Sequence, residues 1–514
     1  MPSYTNNKGC WTCKDRKIAC DKRLPFCVKC EKAGRQCLGY GTRLSWPRDN
    51  DRRRAIVSQE PRCSKMAFRP HPRNSDYLNV FYRDVELSYE LTGGAGSKDP
   101  CTERNEHYHW DVMPKHSAVG IPRLAFNPSW MPITLNNTHL SLVSYFDKHL
   151  AMCLSPIQNA RVRDLTLRMA FEDGSPASYA ILCSISALSS LHLKDTVHAV
   201  EYKRKALSAV WASASQTSDT KSVLQRIIAV NFVACFETYA NPNVSIDWAV
   251  AICYAKTAAI NTYAADQTYI GDLALILDWV FYYDVISRFA VRHFDRRFDS
   301  MLVCARKQHL MWVEMNSPDK TYIVPTLGCS LEVLNAIASI IDVVLEIEAG
   351  SDPDHEVFDR LERRLRYAKQ DIRFEETDGP QSTNTAAQAS LVAELHRLAG
   401  MIYLHRAARQ SLCTNPTLQR LVDDAFGVME HLETCDRPLP LFVVGCEARR
   451  DDQRAIVLNL ISRTQVRYLM NIVRVRKFLE RFWAQDDLDI DQSIDYAAKV
   501  TAVLSSSEML PAFS

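Results

Sequence analysis

Residues 9–40 read GCWTCKDRKIACDKRLPFCVKCEKAGRQCLGY, and six cysteines in that stretch, Cys10, Cys13, Cys20, Cys27, Cys30 and Cys37, decide how the chain is to be understood. Their spacing is C-x2-C-x6-C-x6-C-x2-C-x6-C, one C-x2-C-x6-C unit written twice. In each unit the close pair puts two thiolates at the start of a short helical turn, where they can grip one metal ion, and the third returns from a loop. Structural zinc takes four ligands in a tetrahedron, so two ions need eight ligand positions. Six thiolates fill eight positions only when two of them bridge. The expectation is two Zn2+ per chain on six Cys, a cluster of formal charge about −2 that the surrounding Lys and Arg offset. No histidine occurs between residues 1 and 70, which argues against mixed Cys/His fingers. The spacing is also looser than the C-x2-C-x2-C of ferredoxin runs. A metal-storage or redox thiol cluster is the competing reading, but neither needs cations interleaved with the cysteines.

Outward from this stretch, charge and cysteine are distributed in two parts. The 514 residues carry 62 Lys+Arg against 60 Asp+Glu, a balance that taken whole argues against nucleic acid. Residues 1–74, however, hold 18 basic and 6 acidic residues, net +12, while the remainder hold 44 and 54, net −10. Clustered cations are what a phosphate backbone rewards, whatever the rest of the molecule carries. Of 17 cysteines, the eleven beyond the cluster are scattered singly from Cys63 to Cys446. A secreted disulfide scaffold would be short and dense in Cys throughout, and MPSYTNNKGC lacks the apolar core of a signal peptide. A reducing, intracellular setting is expected. No run of about 18 uncharged apolar residues is present, so no membrane span is expected. With 47% hydrophobic residues the chain is too apolar for wholesale disorder, and its length allows two to four domains or one large one plus attachments.

The stretch resembles the binuclear zinc cluster of fungal zinc-cluster transcription factors. The likeness rests on all six cysteine spacings, the run Lys14-Asp15-Arg16-Lys17, Asp21 after the third cysteine and Pro25 in the central loop. The resemblance implies that Cys10 and Cys27 bridge, that Lys17 reads base edges of a CGG triplet in the major groove, and that Lys14, Arg16 and Lys22 contribute base or phosphate contacts. It also implies a turn proline, often cis, at Pro25. Independently of the family, Lys or Arg on a short helix can donate to guanine O6 and N7 while neighbouring cations neutralise phosphates. Asp15 and Ala19 depart from the family pattern, which commonly has further polar or basic residues there, and predict modest phosphate affinity. Cys37 through Trp46 is similar to the continuation in the arginine-metabolism subgroup of these regulators.

Arg48 and Arg52-Arg53-Arg54 read equally well as a nuclear-import or phosphate-contacting run and as a solvated linker. No apolar heptad is sustained between residues 40 and 75, so pairing of two chains through this segment is unsupported. Residues 45–134 read as a basic, then irregular and flexible, linker with a helix over 77–91; His107 and His109 within it lack partners at ligand spacing.

From 135 to 514 the signal is helical. Ile181, Leu182, Ile185, Leu188 and Leu191 recur at spacings of three and four, as do Leu469, Ile472, Val475, Leu479 and Phe482. Asn415-Pro416 is expected to stop a helix covering 394–413, and Asp173-Gly174-Ser175-Pro176 to separate two others. No alternating strand series appears. The fold class is a small Zn2Cys6 cluster domain, residues 1–44, plus a large all-α domain. That domain resembles the fungal helical regulatory domain through Ser144-Tyr145-Phe146, Ala180 to Leu193, Leu404-His405-Arg406 and Pro438 to Arg449. Residues 484–496 alternate acids with apolar residues, as an activation segment would, but more readily form an acidic helix start capped by Asp491 or Ser493.

No GxSxG, HExxH, P-loop or GxGxxG pattern is present, and His396 and His405 read as structural, so no catalysis is expected. The expected function is a nuclear regulator of RNA polymerase II transcription that binds double-stranded DNA, controls metabolic genes and engages the transcription machinery. A homodimer would form through the helical body. The alternative is a helical metabolite-binding protein or enzyme with a zinc docking module.

Overall fold

The structure, a computed structural model, describes residues 9–23, 26–38, 82–91, 137–151, 159–216, 219–240, 247–263, 269–294, 317–324, 326–348, 350, 353–372, 381–465, 470–489, 495–506 and 510–513. The chain divides into two units, Met1–Pro72 and Arg73–Ser514. Pro25, Arg48, Arg52, Arg53, Arg54, His107 and His109 lie outside the described residues.

The first unit contributes two five-residue helices, α1 (Trp11–Asp15) and α2 (Val28–Lys32). The second is a helical body. It runs α3 (Tyr82–Leu91), α4 (Asn137–Tyr145), α5 (Asn159–Phe171), α6 (Pro176–His192), α7 (Thr196–Gln216), α8 (Thr220–Ala240), α9 (Asp247–Thr262) and α10 (Gly271–Arg292). A hairpin of β1 (Ile323–Val324) and β2 (Cys329–Ser330) precedes α11 (Leu331–Glu348), α12 (His355–Tyr367), α13 (Gln381–Tyr403) and α14 (Pro416–His431). The series ends with α15 (Pro438–Gly445), α16 (Asp451–Gln465), α17 (Met470–Leu488) and α18 (Tyr496–Ser505).

The helical reading of the body holds, with differences in detail. Helix α6 is buried nearly all round, Ser184, Ser186, Ser189 and Ser190 included, because α4, α5, α7 and α8 pack about it. A helix in that position needs small residues where neighbours approach, which is why its apolar stripe is interrupted by Ala and Ser. The Asp173–Pro176 boundary forms as expected: Ser175 Oγ accepts from the Ser178 amide at 3.2 Å, and Pro176 opens the helix. Asn415-Pro416 is the start of α14 rather than the end of the helix before it. Asn415 Oδ1 accepts from the amides of Thr417 and Leu418, whereas α13 closes earlier through a π-turn, Leu404–Ala408.

The helix expected over 77–91 is present from Tyr82 and packs on α17 and α18, with Gln485 Nε2 donating to Asp84 O at 2.8 Å. At the acidic segment the cap of α18 is Asp495, not Asp491 or Ser493, which are outside the described residues. Asp486 and Asp489 turn inward there to buried Lys499, at 2.5 and 3.5 Å.

The two-residue strands of the hairpin are too short to leave a periodic signal. Buried Arg437 secures their turn, Nη2 donating to Thr326 O at 2.9 Å and Nε to Leu327 O at 3.1 Å. Gly328, at φ +76°, completes the turn in a conformation that favours glycine, and a β-carbon there would press on Arg437 at 3.0 Å. A second glycine is set by close approach alone: a β-carbon on Gly445 would lie 2.8 Å from Leu479 Cδ1, and the Gly445 carbonyl accepts from Trp483 Nε1 at 2.8 Å. Gly445→Ala is therefore expected to cost about 1–3 kcal/mol through overpacking, read as a lower urea midpoint with unchanged slope.

Candidate metal centre and nucleic-acid interface

Each half of the first unit is built the same way. Cys10 and Cys27 cap α1 and α2, their sulfurs accepting from the amides of Cys13 at 3.4 Å and Cys30 at 3.3 Å. Five residues cannot sustain a helix alone, so both helices depend on how they end. Both end in the same motif. The Ile18 amide reaches back to Cys13 O and the Lys17 amide to Lys14 O; in the second half Arg35 reaches Cys30 O and Gly34 reaches Glu31 O, all at 3.0 Å. Such an ending puts one residue in the left-handed region. It is Gly34 in the second half, at φ +60°, and Lys17 in the first, at φ +54°.

The turns bring all six sulfurs together. Cys10, Cys13, Cys27 and Cys30 have no exposed surface, and Cys20 and Cys37 pack against them. Two groups of four have ligand atoms within 4.8 Å of one another: Cys10, Cys13, Cys20 and Cys27, and Cys10, Cys27, Cys30 and Cys37. Cys10 and Cys27 belong to both. Their sulfurs are 3.6 Å apart, far beyond a disulfide bond. Cys10 to Cys30 is 3.8 Å and Cys13 to Cys27 is 3.6 Å. A zinc–sulfur bond of about 2.3 Å gives a tetrahedral edge of about 3.8 Å, so the thiol spacing fits zinc. Burial pushes the Cys10 thiol up to about 12 and raises Cys13 and Cys27 as well. A bare cluster of this kind resists ionisation, whereas a divalent cation among the sulfurs reverses that balance.

Two side chains that the sequence reading did not single out for this purpose tie the halves together. Asp21, from the first half, accepts from the amides of Val28 at 3.0 Å and Lys29 at 3.4 Å, closing the start of α2. Those amides, Val28 first, hold its carboxyl below the usual range. In return Thr12 on α1 donates through Oγ1 to Gln36 O and accepts from the Leu38 amide, both at 3.0 Å. An acid six residues ahead of the capping Cys27 was the available signal for the first; nothing in the sequence pattern marks the second.

The four expected DNA-contacting residues, Lys14, Arg16, Lys17 and Lys22, are all exposed. Lys14 lies in the last turn of α1 with Nζ 4.4 Å from the centre of the Trp11 ring, a cation–π contact. Arg16 is the C-cap of α1 and Lys17 follows it. Lys22, at φ +60°, donates its amide to Cys20 Sγ at 3.4 Å. These ammonium and guanidinium groups thus ride on the backbone that wraps the sulfurs. In the body, His396 and His405 are buried, and burial lowers the first to about 4. No helix among the described residues is long and apolar enough to cross a membrane.

Comparison with known proteins bears on both units. Residues 8–47 match the family model described as the fungal Zn(2)-Cys(6) binuclear cluster domain, and residues 141–507 match that of the fungal specific transcription factor domain. A transcription factor named iacI, from Pestalotiopsis fici, is 26% identical over 358 residues, covering 68% of this chain and 88% of its own. Arginine metabolism regulation protein II of Saccharomyces cerevisiae is 53% identical over 38 residues, 7% of this chain and 4% of its own. The pestheic acid cluster transcriptional regulator 3 of P. fici is 34% identical over 50 residues, 10% and 9% of the two chains. No solved structure matches.

Proposed function

The chain belongs to the fungal transcription factors that join a Zn(2)-Cys(6) cluster to a fungal-specific helical domain, and from that premise we propose that it reads CGG-type triplets and regulates metabolic genes. It is a zinc- and DNA-binding regulator, not an enzyme: the matched families and relatives are transcription factors. The proposal divides it into a DNA-binding head, residues 1–44, a linker, 45–134, and a regulatory domain, 135–514. It works in the nucleus, pairs through the helical body and passes its output to the transcription machinery.

The single observation that carries the reading is the pair of four-sulfur groups sharing Cys10 and Cys27. Two Zn2+ would be held by Cys10, Cys13, Cys20, Cys27, Cys30 and Cys37, with the shared pair bridging. The ions supply charge and tetrahedral geometry and take no part in a reaction. Lys14, Arg16, Lys17 and Lys22 face the duplex. Lys17 donates to guanine O6 and N7, and the others fix register through base or phosphate contacts. A rigid mount for Lys17 supports this assignment: its left-handed backbone, which costs a non-glycine residue about 1–2 kcal/mol, is locked by two amide hydrogen bonds and the cluster behind it. Relatives named for arginine metabolism and for a pestheic acid cluster support metabolic genes as targets.

Lys17→Ala tests the reading. It is expected to weaken binding to CGG-bearing duplexes by about 1–3 kcal/mol in a fluorescence anisotropy titration, with little change on a scrambled duplex. Alanine is no worse than lysine at a left-handed position, so zinc content should be unaffected. Equal loss on both duplexes would assign Lys17 to phosphate, and no loss on either would remove it from the interface.

A further inference from the structure

The segment that follows α18 is buried more deeply than a chain segment without secondary structure ordinarily is. Leu510, Ala512 and Phe513 are at most 5% exposed, and Phe513 has no exposed surface. The Phe513 ring lies 5.4 Å from that of Phe289 on α10, 5.1 Å from Phe442 on α15 and 6.5 Å from Phe478 on α17, centre to centre. One polar contact fixes the segment lengthwise: buried Trp248 on α9 donates Nε1 to the Leu510 carbonyl at 3.3 Å. Four residues from four different helices thus surround one short stretch of chain. The stretch lies beyond residue 507, where the match to the fungal-specific domain stops.

These are the features of a bound ligand. An aromatic ring sits in an aromatic socket, a second apolar side chain is buried nearby, and a single carbonyl takes the one donor. We infer that the socket of Trp248, Phe289, Phe442 and Phe478 is a binding site for an apolar, peptide-like molecule bearing an aromatic ring and a carbonyl acceptor, and that Leu510–Phe513 is its built-in, displaceable occupant. Displacement is feasible because burying two large apolar side chains gains about what ordering four residues costs. The occupied socket is wired to the rest of the body. Phe289 also packs its ring on His293 and Tyr403, and His293 bridges Tyr403 Oη at 2.8 Å and Thr501 Oγ1 at 3.0 Å. A competitor that shifts Phe289 therefore acts on α18 and on the end of α13 together. The inference stands whatever DNA sequence the head reads.

The test uses a fluorescein-labelled peptide with the sequence of residues 507–514, followed by anisotropy. A chain terminated after Ser506 should bind it saturably, and a peptide with alanine in place of the phenylalanine at least about tenfold more weakly. The full chain should also bind at least about tenfold more weakly than the truncated one, because its own tethered segment competes at an effective concentration of order millimolar. A folded truncated chain that ignores the peptide, or binds both peptides alike, overturns the inference. Should truncation prevent folding, full-length Phe513→Ala replaces it: about tenfold tighter binding than the unaltered chain is expected, and equal binding overturns the proposal.

Discussion

Removing zinc with a strong chelator is expected to unfold the head completely and to leave the helical body folded. The described residues of the head contain no apolar core to fall back on: the buried side chains are Cys10, Cys13, Cys27 and Cys30, while Ile18, Phe26 and Leu38 are exposed. Two five-residue helices cannot persist without tertiary support. Metal binding, worth about 10–16 kcal/mol in small structural zinc modules, is therefore the folding free energy of this unit. Cys27→Ser should have the same outcome as chelation, since Cys27 serves both four-sulfur groups. The measurement is amide NMR of residues 9–38 during titration with chelator, with metal analysis in parallel. Two zinc ions per chain are expected at the start. Head resonances that keep their dispersion after the metal is gone would refute the account, and a count of one ion would refute bridging.

The second large effect belongs to the body. Asp284 on α10 is buried between Lys256 Nζ at 2.7 Å and Arg288 Nε at 3.6 Å, all three side chains being 1% exposed, and Arg288 continues to Asp342 at 2.7 Å. A buried pair of this kind need not stabilise more than apolar residues would. Removing one member, however, leaves the other's charge in a medium that cannot solvate it. Asp284→Ala is expected to cost about 3–5 kcal/mol, seen as a lower urea midpoint of the body. Asp452, paired with Arg450 where both side chains are 64% exposed, provides the contrast: Asp452→Ala should leave the urea midpoint nearly unchanged. Comparable effects at the two sites would show that burial does not set the value of these pairs.

The head was legible in the sequence because its constraint is local and repeated. Cysteine spacing alone specifies which sulfurs can meet, and the doubled unit anticipates the matching helix ends at Lys17 and Gly34. The body was legible only as a class. Apolar recurrence finds helices such as α6 and α17, but it does not tell a helix with one buried face from one surrounded on all sides, as Ser184 and Ser189 show. Cap chemistry was ambiguous where signals were crowded. Asn415-Pro416 can close one helix or open the next, and among the acids of residues 484–496 only geometry distinguishes the cap, Asp495, from the partners of Lys499. Contacts between residues distant in sequence left no trace at all. Arg437 on the hairpin turn and Phe513 among three phenylalanines are decided by tertiary packing, to which composition and period are blind.

The exchange of Asp21 and Thr12 between the halves of the head makes them cooperative. Either half taken alone would lose its partner's brace along with one of the two shared sulfurs, so the repeat in the sequence is not a pair of independent modules. Cys10 and Cys27 would serve both ions, so filling one four-sulfur group is expected to bring together ligands of the other. The left-handed turn at Lys17 is therefore expected to order together with the whole cluster rather than with its own half alone.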